Sequence, residues 1–180
     1  MLWPLAIAFG LLLGVAGGGN LANLARLKFR WPLLLVAAVV LRYVVIFSPL
    51  NRVQGAQYVY AASLALIVLW TVWHFRRLPG VWLVTAGGVL NLIVVAANSG
   101  RMPVAPDLAR LQLGGALNQR GTIGQYTLMG PNTHLNGLGD WISLGPLPEA
   151  YSPGDVLIAM GIALVILVAV HRAPEHEGAP

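Results

Sequence analysis

The chain has 180 residues, of which 57% are hydrophobic and only 9% are charged, and its mean hydropathy of +0.73 lies outside the range of soluble globular domains. The absence of cysteine excludes disulfides, thiolate metal sites and cysteine nucleophiles. The formal net charge is +5, but the basic residues stand beside the apolar stretches and do not form one dense patch, so we expect no nucleic-acid partner.

Five apolar stretches follow one another, each close to the ~17–25 residues that a helix needs to cross hydrocarbon. They cover residues 2–18, 32–47, 57–75, 81–97 and 155–170. The sequence therefore predicts an all-α membrane protein, with one transmembrane domain over residues 1–180 and a bundle of five transmembrane helices. The first stretch lacks the basic residues that precede the apolar part of a signal peptide, so we expect it to be retained.

Small residues recur every four positions in the first stretch and so share one helix face. They are Ala6, Gly10, Gly14 and Gly18. Such a face lets two helix backbones approach closely in a membrane. We expect it to pack against the fourth stretch, at Gly88, Ala96 and Gly100, or against another membrane subunit.

Basic residues follow the first, third and fifth stretches, all on one side of the predicted bundle. They are Arg26, Lys28, Arg30, Arg76, Arg77 and Arg172. The positive-inside rule assigns this side to the cytoplasm. We therefore expect the N-terminus and residues 98–154 to lie outside and the C-terminus to be cytoplasmic.

Arg42 lies well inside the second stretch and has apolar neighbours. An unpaired guanidinium at a helix centre costs ~2.5–3.5 kcal/mol on insertion scales, so Arg42 should find polar partners. Asn91 lies at a similar depth, and Asp155 begins the fifth stretch. We predict an ion pair between Arg42 and Asp155 with a hydrogen bond from Asn91. This cluster is either a structural staple or a site for an anion or a lipid head group.

The segment from 98 to 154 is rich in Gly and Pro, which excludes any long helix or strand. Asp107 is expected to cap a short helix that runs to about Leu113 and ends at Gly114. The segment also carries too many apolar residues for a disordered linker. We expect an ordered cap over the external mouth of the bundle.

Three parts of the second half have a recognisable pattern: Asn98-Ser99-Gly100-Arg101-Met102-Pro103-Val104, Gly137-Leu138-Gly139-Asp140, and the stretch from Tyr151 to Ile158. They resemble segments of DUF5317, a bacterial membrane family of unknown function, and the resemblance extends over essentially the whole chain. It departs at Ser99, where the family commonly has a second glycine, and at Trp141, where it commonly has isoleucine. The resemblance implies a small protein of the bacterial inner membrane, and it supplies no catalytic residues.

Within the predicted cap we single out five residues as its motif. They are Asn98, Arg101, Pro103, His134 and Gly139. A catalytic alternative would use Asp140 and Asp155 as general acid and base, with His134 carrying protons. Asp155 can equally cap the last helix. No serine elbow, zinc-protease pattern or phosphate-binding loop is present in the sequence, so catalysis is not the leading hypothesis.

His74 and His171 both fall at the cytoplasmic ends of their stretches. Close packing of those stretches would let them serve as axial ligands for haem or a chlorin pigment. The alternative is ordinary flanking of a transmembrane helix, and we predict no cofactor and no metal site.

The leading functional hypothesis is a non-catalytic accessory or scaffolding subunit that binds a membrane partner or lipid through the glycine face and the cap. The alternative is a binding or transport site for an anionic small molecule or lipid head group. Its residues would be Arg42, Asn91, Asp140 and Asp155.

Overall fold

The computed structural model describes residues 2–27, 29–49, 53, 55–111, 115–145, 147 and 149–172. Five long helices account for most of this structure. They are α1 (Leu2–Ala16), α2 (Pro32–Phe47), α3 (Ala56–His74), α4 (Val81–Ala97) and α6 (Pro153–His171), with a short α5 (Ala116–Arg120) between the last two. The long helices agree with the five apolar stretches to within two residues at each end. A mostly helical fold is confirmed.

Two of the helices, α3 and α6, are long and apolar enough to cross a membrane by length and composition. Each has 19 residues, and the other three long helices are apolar but shorter. Helices of this kind also occur in the cores of soluble proteins and in signal sequences. In the apolar windows of α3 and α6, however, only 33% and 28% of the residues are buried.

The helix α6 is the centre of the helical part, because it packs closely against both α1 and α4. The small face of α1 makes the first of these contacts. A Cβ on Gly10 would lie 2.8 Å from the carbonyl oxygen of Ala163, and one on Gly14 would overlap a methyl group of Val170. Ala6 is also buried, whereas Gly18 is exposed beyond the end of α1 and has open space around it.

The expectation that this face packs on α4 is therefore wrong, since α6 occupies it. Two glycine pairs hold α4 against α6 instead. A Cβ on Gly80 would lie 2.7 Å from the carbonyl oxygen of Gly161, and one on Gly87 would overlap that of Gly154. The other small residues of the fourth stretch do not face α1 either. Gly88 faces Val68 of α3, Gly100 faces Gln57 of α3, and Ala96 is exposed.

The helix α3 packs against α4 on one side and against α2 on the other. The five helices thus follow one another in the order α1, α6, α4, α3, α2. A 3₁₀ helix, Leu21–Arg26, stands between α1 and α2 and also contacts α6. Lys28, one of the basic residues of this linker, lies outside the described residues.

Residues 98–152, called here the connecting segment, join α4 to α6 and contain short strands. Strand β3 (Tyr126–Leu128) pairs in parallel with β1 (Met102–Val104) and antiparallel with β2 (Thr122–Ile123). Strands β4 (Ile142–Ser143) and β5 (Ala150–Tyr151) form a separate antiparallel pair. No element in the described part of the segment exceeds five residues, as its glycines and prolines predict.

The helix expected after Asp107 is shorter than predicted. The chain forms a single 3₁₀ turn, Ala109–Leu111, and Leu113 and Gly114 lie outside the described residues. The segment has a small core of its own around Val104 and Leu117, which are fully buried. A second apolar cluster, which includes Met102, Tyr60 and Val95, attaches the segment to α3 and α4.

Candidate functional site

A cavity of about 410 Å³ lies among α2, α3, α4 and α6. Its walls are mostly apolar, with Val39, Leu64, Val84 and Ile162 among the lining side chains. Close helix contacts enclose it on three sides, between α2 and α3, α3 and α4, and α4 and α6. No comparable contact joins α2 to α6 in the described part of the chain, so the gap between these helices forms the open side.

Polar side chains gather at the end of the cavity next to the connecting segment. Asn91 Nδ2 donates to Asp155 Oδ1 at 2.9 Å, and the Ser152 backbone N–H donates to Asp155 Oδ2 at 3.2 Å. The Ser152 hydroxyl donates to Asn91 Oδ1 at 2.8 Å and accepts from the Asp155 N–H at 2.9 Å. The contacts between Ser152 and Asp155 form a capping box at the start of α6, and the side-chain amide of Asn91 connects this box to α4.

The predicted hydrogen bond between Asn91 and Asp155 is therefore present, and Asp155 has the capping role that the sequence suggested. Ser152, not Asp155, is the N-cap residue, and for that reason α6 begins two residues earlier than predicted. The pattern Ser-x-x-Asp at 152–155 was the sequence signal for this arrangement.

Arg42 lines the same end of the cavity but has no ion pair with Asp155. Its guanidinium carbon lies 4.8 Å from the ring centroid of Tyr60 and 5.7 Å from that of Trp3. Among the described residues, no carboxylate oxygen lies within 4.0 Å of its nitrogens. The predicted ion pair is therefore wrong, and the Asp155 oxygens instead accept N–H groups of Asn91 and Ser152.

The opposite end of the cavity is closed by the linker that precedes α2. The Phe29 ring lies 5.5 Å from that of Trp70, and both side chains line the cavity. Trp70 Nε1 donates to the Arg30 carbonyl at 3.0 Å, and the Arg30 N–H donates to His74 Nε2 at 3.1 Å. His74 Nδ1 is then the protonated ring nitrogen and donates to the Trp70 carbonyl at 2.8 Å.

His74 is thus a buried structural residue with both ring nitrogens bonded. The ring nitrogens of His171 lie 2.8 Å from the Leu167 carbonyl oxygen and 3.1 Å from that of Gly17. Ligation of haem or a chlorin through the Nε2 atoms would require the contact of His74 with the Arg30 N–H and that of His171 with the Gly17 carbonyl to break. No cluster of three or more potential ligands for a metal ion occurs among the described residues.

Asp140 lies in the connecting segment and is buried, with 4% of its surface exposed. Its backbone N–H donates to the Pro103 carbonyl at 2.8 Å, and its carbonyl accepts from Ala105 at 2.9 Å. Gly139 makes this approach possible, since a Cβ there would lie 2.6 Å from the Pro103 oxygen. Oδ1 of Asp140 has no hydrogen-bond partner among the described residues.

Burial raises the pKa of the Asp140 carboxyl well above its usual value of 3.8. The negative charge of Asp155 raises it further, and Arg42 opposes the shift. The two carboxylates are therefore close enough to interact electrostatically, but no hydrogen bond joins them among the described residues. His134, proposed as their proton carrier, is exposed and bonds to Asn98 only through its backbone in the described contacts.

Asn98 fixes the first turn of the connecting segment to the end of α4. Its side-chain amide donates to the carbonyls of Val94 and His134 at 2.8 and 2.9 Å and accepts from the His134 N–H at 2.8 Å. Ser99 follows with a left-handed backbone, φ 55°. Arg101 follows two residues later, and its Nε is buried without a partner among the described residues.

The sequence profile of one protein family, a family of unknown function (DUF5317), matches residues 26–167. The chain belongs to the DUF5317 family. No curated protein and no solved structure matches it.

Two of the three parts of the chain that resemble DUF5317 meet in the structure. The first supplies Pro103 and the second supplies Asp140, whose backbones bond to each other. The third supplies Ser152 and Asp155 at the polar end of the cavity. Sequence reasoning missed Tyr60 and Trp3, the aromatic neighbours of Arg42. Nothing in the spacing of these two residues signals the contact, because it depends on how three helices assemble.

Proposed function

We propose that this DUF5317 protein is a non-catalytic, multi-pass protein of the bacterial inner membrane that binds a lipid-like amphiphile in the cavity beside Arg42. In this proposal α1, α2, α3, α4 and α6 form a five-span bundle, and the connecting segment is an ordered external cap. The low burial of the apolar windows of α3 and α6 supports a membrane location. A protein in water rarely exposes so much contiguous apolar surface.

The distribution of basic residues supports the orientation. Arg26, Arg76, Arg77 and Arg172 lie at one end of the bundle, and the connecting segment lies at the other. The proposed topology places the N-terminus and the cap outside and the C-terminus in the cytoplasm.

One observation carries the binding proposal. Arg42 places a permanent positive charge at one end of a cavity whose lining is mostly apolar. Asp155 lines the same end, but no carboxylate in the described residues forms an ion pair with Arg42. An apolar chamber with one charged end matches an amphiphile, which has an apolar tail and a polar head. The volume of about 410 Å³ lies in the usual range of ligand pockets.

The accessory or scaffolding role suggested by the sequence remains a proposal without a specific surface to support it. The glycine face that was expected to carry it is covered by α6. A membrane partner would have to bind elsewhere, on the cap or on the outer faces of the helices.

The test is purification from membranes in mild detergent, followed by native mass spectrometry and lipid extraction. We expect one amphiphile to be retained by the wild-type protein and lost from Arg42→Gln. Arg76→Gln is the matched control, because Arg76 is an exposed arginine that stacks on Phe75 outside the cavity. An equal loss in both variants, or a wild-type protein that carries no amphiphile and takes up none, would contradict the proposal.

A further inference from the structure

The shape of the cavity restricts the ligand more than its polarity does. Each lining helix contributes side chains over about ten residues, from Arg42 to Pro32 on α2 and from Asp155 to Ile166 on α6. At 1.5 Å per residue, the chamber is about 15 Å long. It is therefore an elongated slot that runs parallel to the helices and has Arg42 at one end and Phe29 at the other.

The volume restricts the occupant further. An α-helix with side chains is ~10–12 Å across, so a helix along the ~15 Å length would occupy more than twice the 410 Å³ of the cavity, and the slot does not hold a helical peptide. Carbon atoms in contact lie ~4 Å apart, so one hydrocarbon chain along this length fills roughly 240 Å³. The cavity therefore has the volume for one such chain and too little for two.

The charge at the polar end selects the head group. Asp155 also lines this end, but its oxygens accept hydrogen bonds from Asn91 and Ser152, and the N-terminal end of α6 further balances its charge. The guanidinium of Arg42 lies beside the rings of Tyr60 and Trp3, and no carboxylate forms an ion pair with it among the described residues. Its five N–H donors are suited to a carboxylate or phosphate oxygen.

We infer that the ligand is a single-chain amphiphile with an acidic head group, either a fatty acid or a lysophospholipid. The acyl chain lies along the slot towards Phe29 and Trp70, and the acidic group bonds to Arg42. This inference rests on the proposed function and names its ligand class.

Two tryptophans of α3 make the inference testable by fluorescence. Trp70 lines the slot, whereas Trp73, one turn along, is exposed on the outer surface of the helix. Bromine quenches tryptophan fluorescence on contact. We therefore propose titrating the full-length protein in non-ionic detergent with a brominated palmitate and comparing Trp70→Phe with Trp73→Phe. Quenching should fall in Trp70→Phe and persist in Trp73→Phe.

Displacement of the brominated probe then identifies the ligand class. Palmitate and lysophosphatidate are the two acidic single-chain competitors, hexadecanol is the neutral one, and diacyl phosphatidate is the two-chain one. We expect either or both acidic single-chain compounds to displace the probe, with one molecule bound per protein in native mass spectra. Hexadecanol should bind to the wild-type protein at least about tenfold more weakly than palmitate does. Palmitate should likewise bind to Arg42→Gln at least about tenfold more weakly than to the wild type. In both cases a charge-assisted hydrogen bond is lost.

A second variant protects the test if Arg42→Gln does not fold. Ile162→Phe adds bulk in the middle of the slot without changing its charge, and it should also prevent probe binding. If diacyl phosphatidate competes as well as the single-chain acids, the one-chain inference is overturned and the proposed function stands. Equal binding of hexadecanol and palmitate overturns the acidic head group. If the brominated probe does not quench the fluorescence of Trp70 and no amphiphile displaces it, the proposed function fails as well.

Discussion

Asn91 on α4 donates a 2.9 Å hydrogen bond to the carboxylate of Asp155 on α6, and this contact determines which charge at the polar end of the cavity is compensated. Asp155 has hydrogen-bond partners in Asn91 and Ser152, whereas Arg42 lies beside the rings of Tyr60 and Trp3 and has no ion pair among the described residues. The bond between the two helices is thus a structural clamp, and it leaves the Arg42 guanidinium facing an apolar chamber without a bonded carboxylate.

We predict that Asn91→Ala lowers the free energy of unfolding by about 1–3 kcal/mol, because Ser152 and Asp155 then lose their buried partner. Chemical denaturation in detergent micelles measures this loss. Thr85→Ala is the control on the same helix, since among the described residues its hydroxyl bonds only to the carbonyl of Val81 one turn earlier. It should change stability by less than about 0.5 kcal/mol. Similar losses in the two variants would argue against the clamp.

Gly154→Ala should destabilise the protein by about 1–3 kcal/mol through overpacking between α4 and α6. A Cβ there would lie 2.6 Å from the Gly87 carbonyl oxygen and would overlap the Asn91 amide. In Gly137→Ala the new methyl group meets open space, so the melting temperature should hardly change. Thermal unfolding of both variants in one detergent is the measurement, and a tolerated Gly154→Ala would show that the helices are not in close contact.

Asp140 should make the protein less stable as pH rises. In the unfolded chain its pKa is the ordinary one near 3.8, and in the folded protein burial holds the pKa well above it. Between those two pH values the folded state binds a proton that the unfolded state has lost, so stability is greatest at the acidic side of the window and declines through it. Above the folded pKa the contribution is constant.

Asp140→Asn removes this titration while keeping the shape of the side chain. We expect the melting temperature of the variant to vary less between about pH 4 and about pH 8 than that of the wild type. The difference should be largest at the alkaline end, where the variant is the more stable protein. Parallel pH profiles for the two proteins would show that Asp140 does not titrate as proposed.

Ser99→Gly should raise stability by about 0.5–1 kcal/mol. Ser99 is exposed and has a φ of 55°, a left-handed conformation that costs roughly 1–2 kcal/mol for a residue with a side chain. Part of the gain is lost because glycine is more flexible in the unfolded chain. Ser99→Ala is the control, since it keeps the Cβ and should give no increase. Denaturation midpoints of the three proteins decide the matter.

The proposed topology can be tested with single cysteines, because the chain has none of its own. Gln119 is exposed in the connecting segment, and Arg77 is exposed in the turn between α3 and α4. A membrane-impermeant maleimide should label Gln119→Cys on intact cells and Arg77→Cys only after lysis. The reverse pattern would invert the orientation, and labelling of both sites in intact cells would argue against a membrane between them.

The helices were predictable because each is a continuous apolar run bounded by proline, glycine or basic residues, such as Pro32 and Gly80. The pairing of helices was not. Gly80 and Gly87 have the same spacing of seven residues as Gly154 and Gly161, and this match was visible in the sequence. This matched spacing indicates a contact only when α4 and α6 are compared with each other. The series of small residues in α1, by contrast, is visible within a single helix.

The candidate site was predictable in part. Arg42, Asn91 and Asp155 do line one cavity, because polar groups at similar depths in apolar helices tend to associate, whereas Asp140 is not among its lining residues. The bond between Asn91 and Asp155 was predictable from the same reasoning, and the expected ion pair is replaced by the capping box with Ser152. The cavity itself had no sequence signal, since its volume depends on how four helices leave space between them.

The central position of α6 has a consequence for biosynthesis. The helices α1 and α4 are synthesised before α6. Their glycine surfaces therefore lack their packing partner while the connecting segment is translated. A nascent chain that is interrupted anywhere in that segment lacks the common neighbour of both helices. Such fragments should be rapid substrates for membrane proteases, and only chains that reach the far end of α6 should escape degradation.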